Sequence, residues 1–252
     1  MNPEPAKIPI KYSIIIPTLN EEHYVGVLLD SLCSQTYKEF EVIVVDGHSE
    51  DKTREVVERY FEKFTLRFIE APKRGVGFQR NFGAGKALYE NLVFFDADIF
   101  IDPDFLEKLS EYIEKNNPDF LTSWFKPISI KKRDKIFFNI FNVYLEAIKF
   151  ISPGSGGAFI YTKKEAFNKV GGFSEQIVLG EDFNLAKKMD RAGFTYKIVK
   201  DPCINVSVRR MDKEGRFHYT TNLLKAHLHA NIYGPIKDNR KIKYEFGHYN
   251  KV

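Results

Sequence analysis

Four short apolar runs in the first half of the chain constrain its fold more than any other feature. "YSIIIP" (12–17), "FEVIVVD" (40–46), "LRFIEA" (66–71) and "LVFF" (92–95) are rich in β-branched or aromatic residues and almost without polar alternation. That is the pattern of strands buried on both faces of a parallel sheet. Between the first two, Val25, Leu28, Leu29 and Leu32 fall at i, i+3, i+4, i+7, one face of a helix. A second helix is expected after Ser49, a good N-cap with Glu50 and Asp51 in the first turn, burying Val56, Val57, Tyr60, Phe61 and Phe64. A third spans 78–90. The alternation predicts an α/β fold, a doubly wound and mostly parallel sheet flanked by helices. Further strands are expected at 119–125, 157–162 and 195–200, and helices near 103–116, 134–151, 181–192 and 216–233, in a less regular C-terminal region.

In open parallel sheets ligands bind beyond the carboxyl ends of the strands, and here those ends are polar. The four strands run out into "PTLNEE" (17–22), "DGHSEDKT" (46–53), "APKRGVGFQRN" (71–81) and "DAD" (96–98). Burying carboxylates at the end of a core strand is costly unless a cation or a set of donors meets them. Hard divalent cations take carboxylate oxygens, and Mg²⁺ or Mn²⁺ commonly binds one or two of these together with substrate phosphates. Asp98, helped by Asp96, therefore suits a metal that neutralises a diphosphate; the alternative is that one caps the following helix and the other is solvated. Neither GxxxxGK[ST] nor GxGxxG after the first strand is present, which excludes a P-loop and a dinucleotide fingerprint. Arg80 suits a phosphate or a base, or else a solvated helix face. Asp46 suits a nucleobase N–H, or else a turn before Gly47. "GEDFNLAKKMDRAG" (180–193) opens a helix with Glu181 and Asp182 and closes it with Gly193 at C′. Acids are favoured in a first helical turn whatever the function, but an adjacent pair also suits a general base.

Composition narrows the class. With 38 basic and 34 acidic side chains among 252 residues the net charge is +4, too balanced to point to nucleic acid. Cys33 and Cys203 lie far apart with no metal or redox spacing, and "MNPEPAKIPIK" has no apolar core of signal-peptide length, so a cytoplasmic protein is expected.

Taken in order, "IIIPTLNEE", "VIVVDGHSEDKT", "RGVGFQRNFGAG", "LVFFDAD", "GSGGAFIYTKKEAFNKVGGFSE" and "GEDFNLAKKM" resemble the family 2 inverting glycosyltransferases of the GT-A fold. The resemblance covers residues 12 to about 192. It implies a nucleotide-sugar site shared by Pro17, Thr18, Asn20, Glu21, Asp46, Arg80 and Ala97. Asp96 would meet ribose or donor sugar and Asp98 would hold Mn²⁺ or Mg²⁺. Asp182 would be the general base with Glu181 beside it, and Gly156 and Gly157 would let backbone lie close to the sugar or acceptor. Arg209 and Arg210, on an expected loop before the last helix, are similar to an arginine pair that follows the catalytic acid in one branch of the family. Arginine forks there suit a phosphate. The QxxRW form of processive synthases is absent. The implied division is a leader (1–11), a nucleotide-sugar half (12–102), an acceptor-side half (103–215) and a C-terminal helix and tail (216–252). The implied partners are a UDP- or GDP-linked sugar and a saccharide, lipid-phosphate or small-molecule acceptor. A nucleotidyltransferase and a non-catalytic nucleotide-sugar-binding module are the rival readings.

"KKRDKIFFNIFNVYLEAIKFI" (131–151) stands apart. As a helix it gathers Asn139, Asn142, Glu146 and Lys149 into a narrow polar stripe, with nearly everything else apolar after a basic start. Burial in the core or in a homodimer interface is the preferred reading, and peripheral contact with a membrane surface the other. His218, His227 and His229 are expected to be solvated or core residues rather than metal ligands.

Overall fold

The computed structural model describes residues 9–149, 154, 156–216, 218 and 221. The four apolar runs form β1 (Tyr12–Thr18), β2 (Phe40–Asp46), β3 (Leu66–Glu70) and β4 (Asn91–Phe95), with α1 (Val25–Cys33), α2 (Thr53–Glu58) and α3 (Val76–Lys86) between them. Then come β5 (Ile99–Phe100), α4 (Phe105–Asn116), β6 (Phe120–Pro127), α5 (Lys132–Ile148), β7 (Phe159–Lys163), α6 (Lys164–Lys169), α7 (Glu181–Arg191), β8 (Tyr196–Val206) and α8 (Arg209–Glu214). The strands form one sheet in the order β3-β2-β1-β4-β7-β6-β8-β5. β1, β2, β3 and β4 are mutually parallel, β7 runs antiparallel to β4 and β6, and β5 runs antiparallel to β8.

The continuous apolar runs follow from burial on both faces. Ile14, Ile16, Val42, Val44, Val93 and Phe95 point into one core with α1, α4 and the inner side of α5. Ile15, Ile43, Val45, Leu92 and Phe94 point into the other, with α3, α6 and α7. Each such side chain contributes on the order of 1.5–3 kcal/mol. After β3 the chain returns to β4 on the opposite side of β1, so the strand order reverses between β1 and β4. A crevice opens at such a reversal, and here Asn20 and Glu21 leave β1 beside Asp96 and Asp98 leaving β4.

Several local expectations are corrected. Ser49 does not cap α2: its hydroxyl donates to the Asp46 carboxylate and accepts the Asn20 N–H, and the helix starts at Thr53. That helix ends at Glu58, leaving Phe61 exposed, although Val57 is buried as expected. α3 stops at Lys86 because Ala87 turns to extended backbone. Arg209 and Arg210 open the short helix α8 rather than lying on a loop. The expected helix at 216–233 lies outside the described residues except for 216, 218 and 221, as do His227 and His229; His218 is exposed.

The polar stripe of α5 divides between the interior and solvent. Asn142 is buried and bridges the Phe125 backbone, donating to its carbonyl and accepting its N–H. Glu146 faces the Trp124 indole N–H. Asn142 and Glu146 therefore turn toward β6, while Asn139 and the aliphatic side chains Ile136, Ile140 and Val143 turn to solvent.

α3 seats against the sheet through Gly83, where an added Cβ would lie 2.5 Å from Ile15 Cγ2 and 2.9 Å from Val45 Cγ2. Gly83→Val should lower stability by about 1–3 kcal/mol through overpacking. Exposed Gly85 in the same helix has open space, so Gly85→Ala should raise stability by up to about 1 kcal/mol. Urea unfolding midpoints of the two variants check the pair.

Candidate active site

The site is assembled from strand ends and two helix starts. At the end of β1, Asn20 adopts a left-handed conformation and its carboxamide oxygen accepts the Glu50 N–H. The Asp46 carboxylate at the end of β2 receives the Thr18 hydroxyl at 2.9 Å, the Ser49 N–H at 2.8 Å and the Ser49 hydroxyl at 2.6 Å. Asp46 is thus bound up in fixing the β1 and β2 loops to each other. Gln79 of α3 ties the same corner by donating to the carbonyls of Thr18 and Val45. Sequence reasoning did not single out Gln79, which a "GFQRN" helix start carries with no distinctive spacing.

Arg80 lies in the interior rather than on a solvated helix face. It is 1% exposed. One fork nitrogen donates to Glu181 at 2.7 Å, while the other donates to Asp96 at 2.7 Å and to the Gly157 carbonyl at 3.1 Å. Its guanidinium also lies over the Phe173 ring, 5.1 Å from the centroid. Arg80 therefore crosslinks α3, the end of β4, the loop before β7 and the start of α7. In this conformation it supports the acids from beneath.

Asp182 sits in the first turn of α7, buried beside Glu181. Its Oδ2 accepts the Gly157 N–H at 2.6 Å. Burial, with the Glu181 charge next, pushes its carboxyl well above the usual range, against the Phe183 and Gly157 N–H groups and Arg80. Gly157 has φ +29°, and a Cβ there would approach Asp182 Oδ2 to 3.3 Å, so glycine keeps this approach open. At Gly156 an added Cβ would lie 2.5 Å from the Phe125 ring.

On the other side of the crevice Arg209 joins Asp98 at 3.0 Å and Glu21 at 2.7 Å, and stacks over Tyr24 at 4.1 Å. Glu21 and Arg209 are 188 residues apart in sequence, a pairing no local pattern announces. It arises because β8 pairs with β5 and the Ser207 N–H reaches the Asp98 carbonyl, carrying α8 to the acids. Arg210 beside it is half-buried. Ala97 is buried in the core between the two aspartates, and Pro17 and Thr18 stand at the end of β1.

Charge does not balance among these residues. Among the described residues, the guanidiniums of Arg80 and Arg209 form ion pairs with Asp96, Glu181, Glu21 and Asp98, and Asp182 adds a fifth carboxylate held by a backbone N–H. The excess appears as raised proton affinity. Burial pushes Glu21 up to about 7, with Arg209 opposing and Asp98 and Asp96 adding to it. Asp96 is pushed up to about 6 by desolvation, Asp98 and Glu181 against Arg80, although 37% of its side chain stays exposed and solvent tempers the effect. Oε2 of Glu21 is buried with no hydrogen-bond partner among the described residues. An excess of hard oxygen donors with one orphaned is chemistry that fits a divalent cation. Among the described residues no three such side chains converge as a complete cage, so Asp98 and Asp96 would supply part of a coordination shell.

A mostly parallel sheet reversing between β1 and β4, with acids at that edge, matches the GT-A fold, as comparison with known proteins shows. The family model described as Glycosyl transferase family 2 matches residues 13–170, and the chain belongs to that family. An uncharacterized glycosyltransferase of Haemophilus influenzae is 33% identical over 195 residues, covering 74% of this chain and 65% of that protein. The poly(ribitol-phosphate) β-N-acetylglucosaminyltransferase TarS of Staphylococcus aureus is 37% identical over 116 residues, covering 44% of this chain. The chain spans 20% of the length of TarS in that match. Among solved structures, the mannosyltransferase PcManGT from Pyrobaculum calidifontis in complex with GDP-Man and Mn²⁺ superposes with a TM-score of 0.69 at 23% identity, covering 88% of this chain and 64% of that one. Residues 1–349 of S. aureus TarS in complex with UDP-GlcNAc give 0.64 at 24% identity, covering 79% of this chain and 58% of that one. At these identities the likeness is one of fold.

Arg80→Met should cost about 3–5 kcal/mol, because it leaves Glu181 and Asp96 without their cation. The loss should be largest near neutral pH and shrink on acidification, as Asp96, whose carboxyl burial pushes up to about 6, protonates. Urea denaturation at two pH values measures it.

Proposed function

We propose that this chain transfers a sugar from a UDP- or GDP-linked nucleotide-diphospho-sugar to a hydroxyl or phosphate acceptor, with inversion at the anomeric carbon. One observation carries the reading: Asp182, a buried carboxylate of raised proton affinity, is held by the Gly157 N–H at the acid-lined edge of a family 2 fold. Inversion needs a single general base on the acceptor side, within hydrogen-bond reach of the proton it takes. Asp182 takes the acceptor proton as the acceptor oxygen bonds to the anomeric carbon. The bond from that carbon to the diphosphate breaks, and the nucleoside diphosphate leaves with the electron pair. Glu181, fixed by Arg80, raises the basicity of Asp182 through its charge.

In this reading residues 12–102 form the donor side, where Pro17, Thr18, Asn20 and Glu21 line the nucleotide and Asp46 shapes the base pocket. Asp96 and the Ala97 backbone lie against ribose or donor sugar. Gly156 and Gly157 admit the acceptor, within the half spanning 103–215. Asp98 and Asp96 would hold Mn²⁺ or Mg²⁺, which supplies neutralising charge to the diphosphate leaving group. Arg209 grips Asp98 in the structure described, so the metal and this guanidinium compete for one carboxylate, and a freed Arg209, with Arg210, would reach a phosphate. The family match and the GDP-Man and Mn²⁺ named with PcManGT support the donor class and the metal.

Calorimetry with a panel of UDP- and GDP-sugars, with Mn²⁺ and with chelator, tests the reading. Asp98→Ala should lose the metal-dependent part of donor affinity. Asp182→Asn should bind donor normally and slow the release of nucleoside diphosphate to water by roughly 10²–10⁴-fold. No binding to any donor would sink the transferase reading, and unimpaired turnover by Asp182→Asn would sink the base.

The pH dependence follows from the same carboxyl. Asp182 works only when ionised, so lowering pH through its raised pKa removes activity and raising pH restores it. The acid limb of kcat/KM should lie above the ordinary carboxylate value of about 4. Glu181→Gln removes the neighbouring charge and should move the limb to lower pH.

A further inference from the structure

α5 is amphipathic the wrong way round for a helix serving only the core. Its polar Asn142 and Glu146 face β6, as described above, while Ile136, Ile140 and Val143 form an i, i+4, i+7 stripe that is 59%, 65% and 59% exposed. The loop leading into the helix adds Ile130, 96% exposed, and Ile128, 49% exposed. Exposed aliphatic side chains scattered singly need no explanation, but a contiguous patch on one rigid helix marks an interaction surface. The helix is fixed in place by the paired Asn142–Phe125 hydrogen bonds and by buried Phe138 and Leu145.

Charge selects the partner. Lys132, Arg133 and Lys135 are exposed in the first turns of α5, where the helix dipole disfavours cations by a few tenths of a kcal/mol each. Local helix stability does not explain them. Asp134, the acid among them, is fully buried and held by Arg216 and the Ser129 hydroxyl, so it does not neutralise the outer face. Nor does a second copy supply a complement, since the outer stripe continues through Asn139 and Ala147 with no exposed acid. A cationic head followed by an aliphatic stripe, on a helix lying along the protein surface, is the chemistry of binding in the plane of an anionic lipid interface.

We propose that the outer face of α5, with Ile128 and Ile130, docks this protein on an anionic membrane surface. No helix among the described residues is long and apolar enough to cross a membrane, so the contact is peripheral. Through Phe125, which lies against Gly156, the docked helix adjoins the loop assigned above to the acceptor. Docking itself does not depend on the proposed reaction.

Co-sedimentation of the full chain with vesicles tests this, using phosphatidylcholine alone and phosphatidylcholine mixed equally with phosphatidylglycerol. The wild-type chain should pellet with the anionic vesicles and stay in solution with the neutral ones. The Lys132→Glu, Arg133→Glu, Lys135→Glu triple variant should weaken binding about a hundredfold. Ile136→Glu with Ile140→Glu should weaken it at least tenfold. Both variants should keep donor binding and melt no lower than wild type, because the altered side chains touch neither core nor site and glutamates suit the start of a helix. Failure of the wild type to pellet, or variants that pellet as well as wild type, would overturn the proposal. So would a dimeric mass by light scattering that Ile140→Glu reduces to monomer while vesicles leave it intact, since a second copy would then own the face. Failed donor binding with intact vesicle binding would refute the reaction and leave the docking standing.

Discussion

The buried guanidinium of Arg80 is the interaction on which the rest of the site depends. It reaches Asp96 at the end of β4, Glu181 at the start of α7 and the Gly157 carbonyl before β7, three segments that come from distant parts of the chain. A charged side chain so deeply buried is tolerated only when its partners are well placed, because the desolvation of an unmatched ion costs several kcal/mol. The requirement runs both ways: the acids stay in place because Arg80 is there, and Arg80 stays charged because burial is outweighed by its carboxylate neighbours. Its seat in turn depends on α3 lying close to the sheet, which Gly83 permits and Gln79 secures.

Around that crosslink the protein carries more negative charge than it neutralises. A carboxyl whose folded pKa is raised favours the fold at low pH, and that contribution is lost as pH rises through the folded value. For Glu21 the window runs from about 4.5 to about 7, so at neutral pH the site weighs against stability. Functional sites often carry this kind of strain. A cation bound at the crevice would relieve it, which couples occupancy to stability. Arg209 partly fills that role here, lying between Asp98 and Glu21.

The two ends of α8 join the site to α5. Arg209 at its start holds the crevice acids, while Asp212 pairs with Lys131, and Arg216 just beyond it pairs with buried Asp134. The surface at which α5 faces outward is therefore tied to the residue that pairs with Asp98. The helix was legible in the sequence as amphipathic, but the direction of its polar stripe was not: Asn142 satisfies backbone groups of β6, which only the packed structure reveals. A polar stripe is outward-facing by default, and the exception arises where an irregular strand leaves a buried N–H and C=O to be met. β6 has such an irregularity, a register shift between Ser123 and Phe125.

The sequence by itself determined the α/β class, the buried central strands, and the placing of Asp46, Asp96, Asp98 and Asp182 at strand and helix ends. These are local properties: uninterrupted apolar runs demand burial on both faces, and polar residues following them must emerge at the edge of the sheet. Tertiary structure alone decided that Arg80 lies beneath the acids, that Ser49 serves Asp46 instead of capping α2, and that Arg209 reaches Glu21 across 188 residues. Each of these depends on which strands become neighbours. Hydrophobic periodicity fixes which face of an element is buried, but not against which partner, and a long polar side chain takes its role from whichever opposite charge the topology brings within reach.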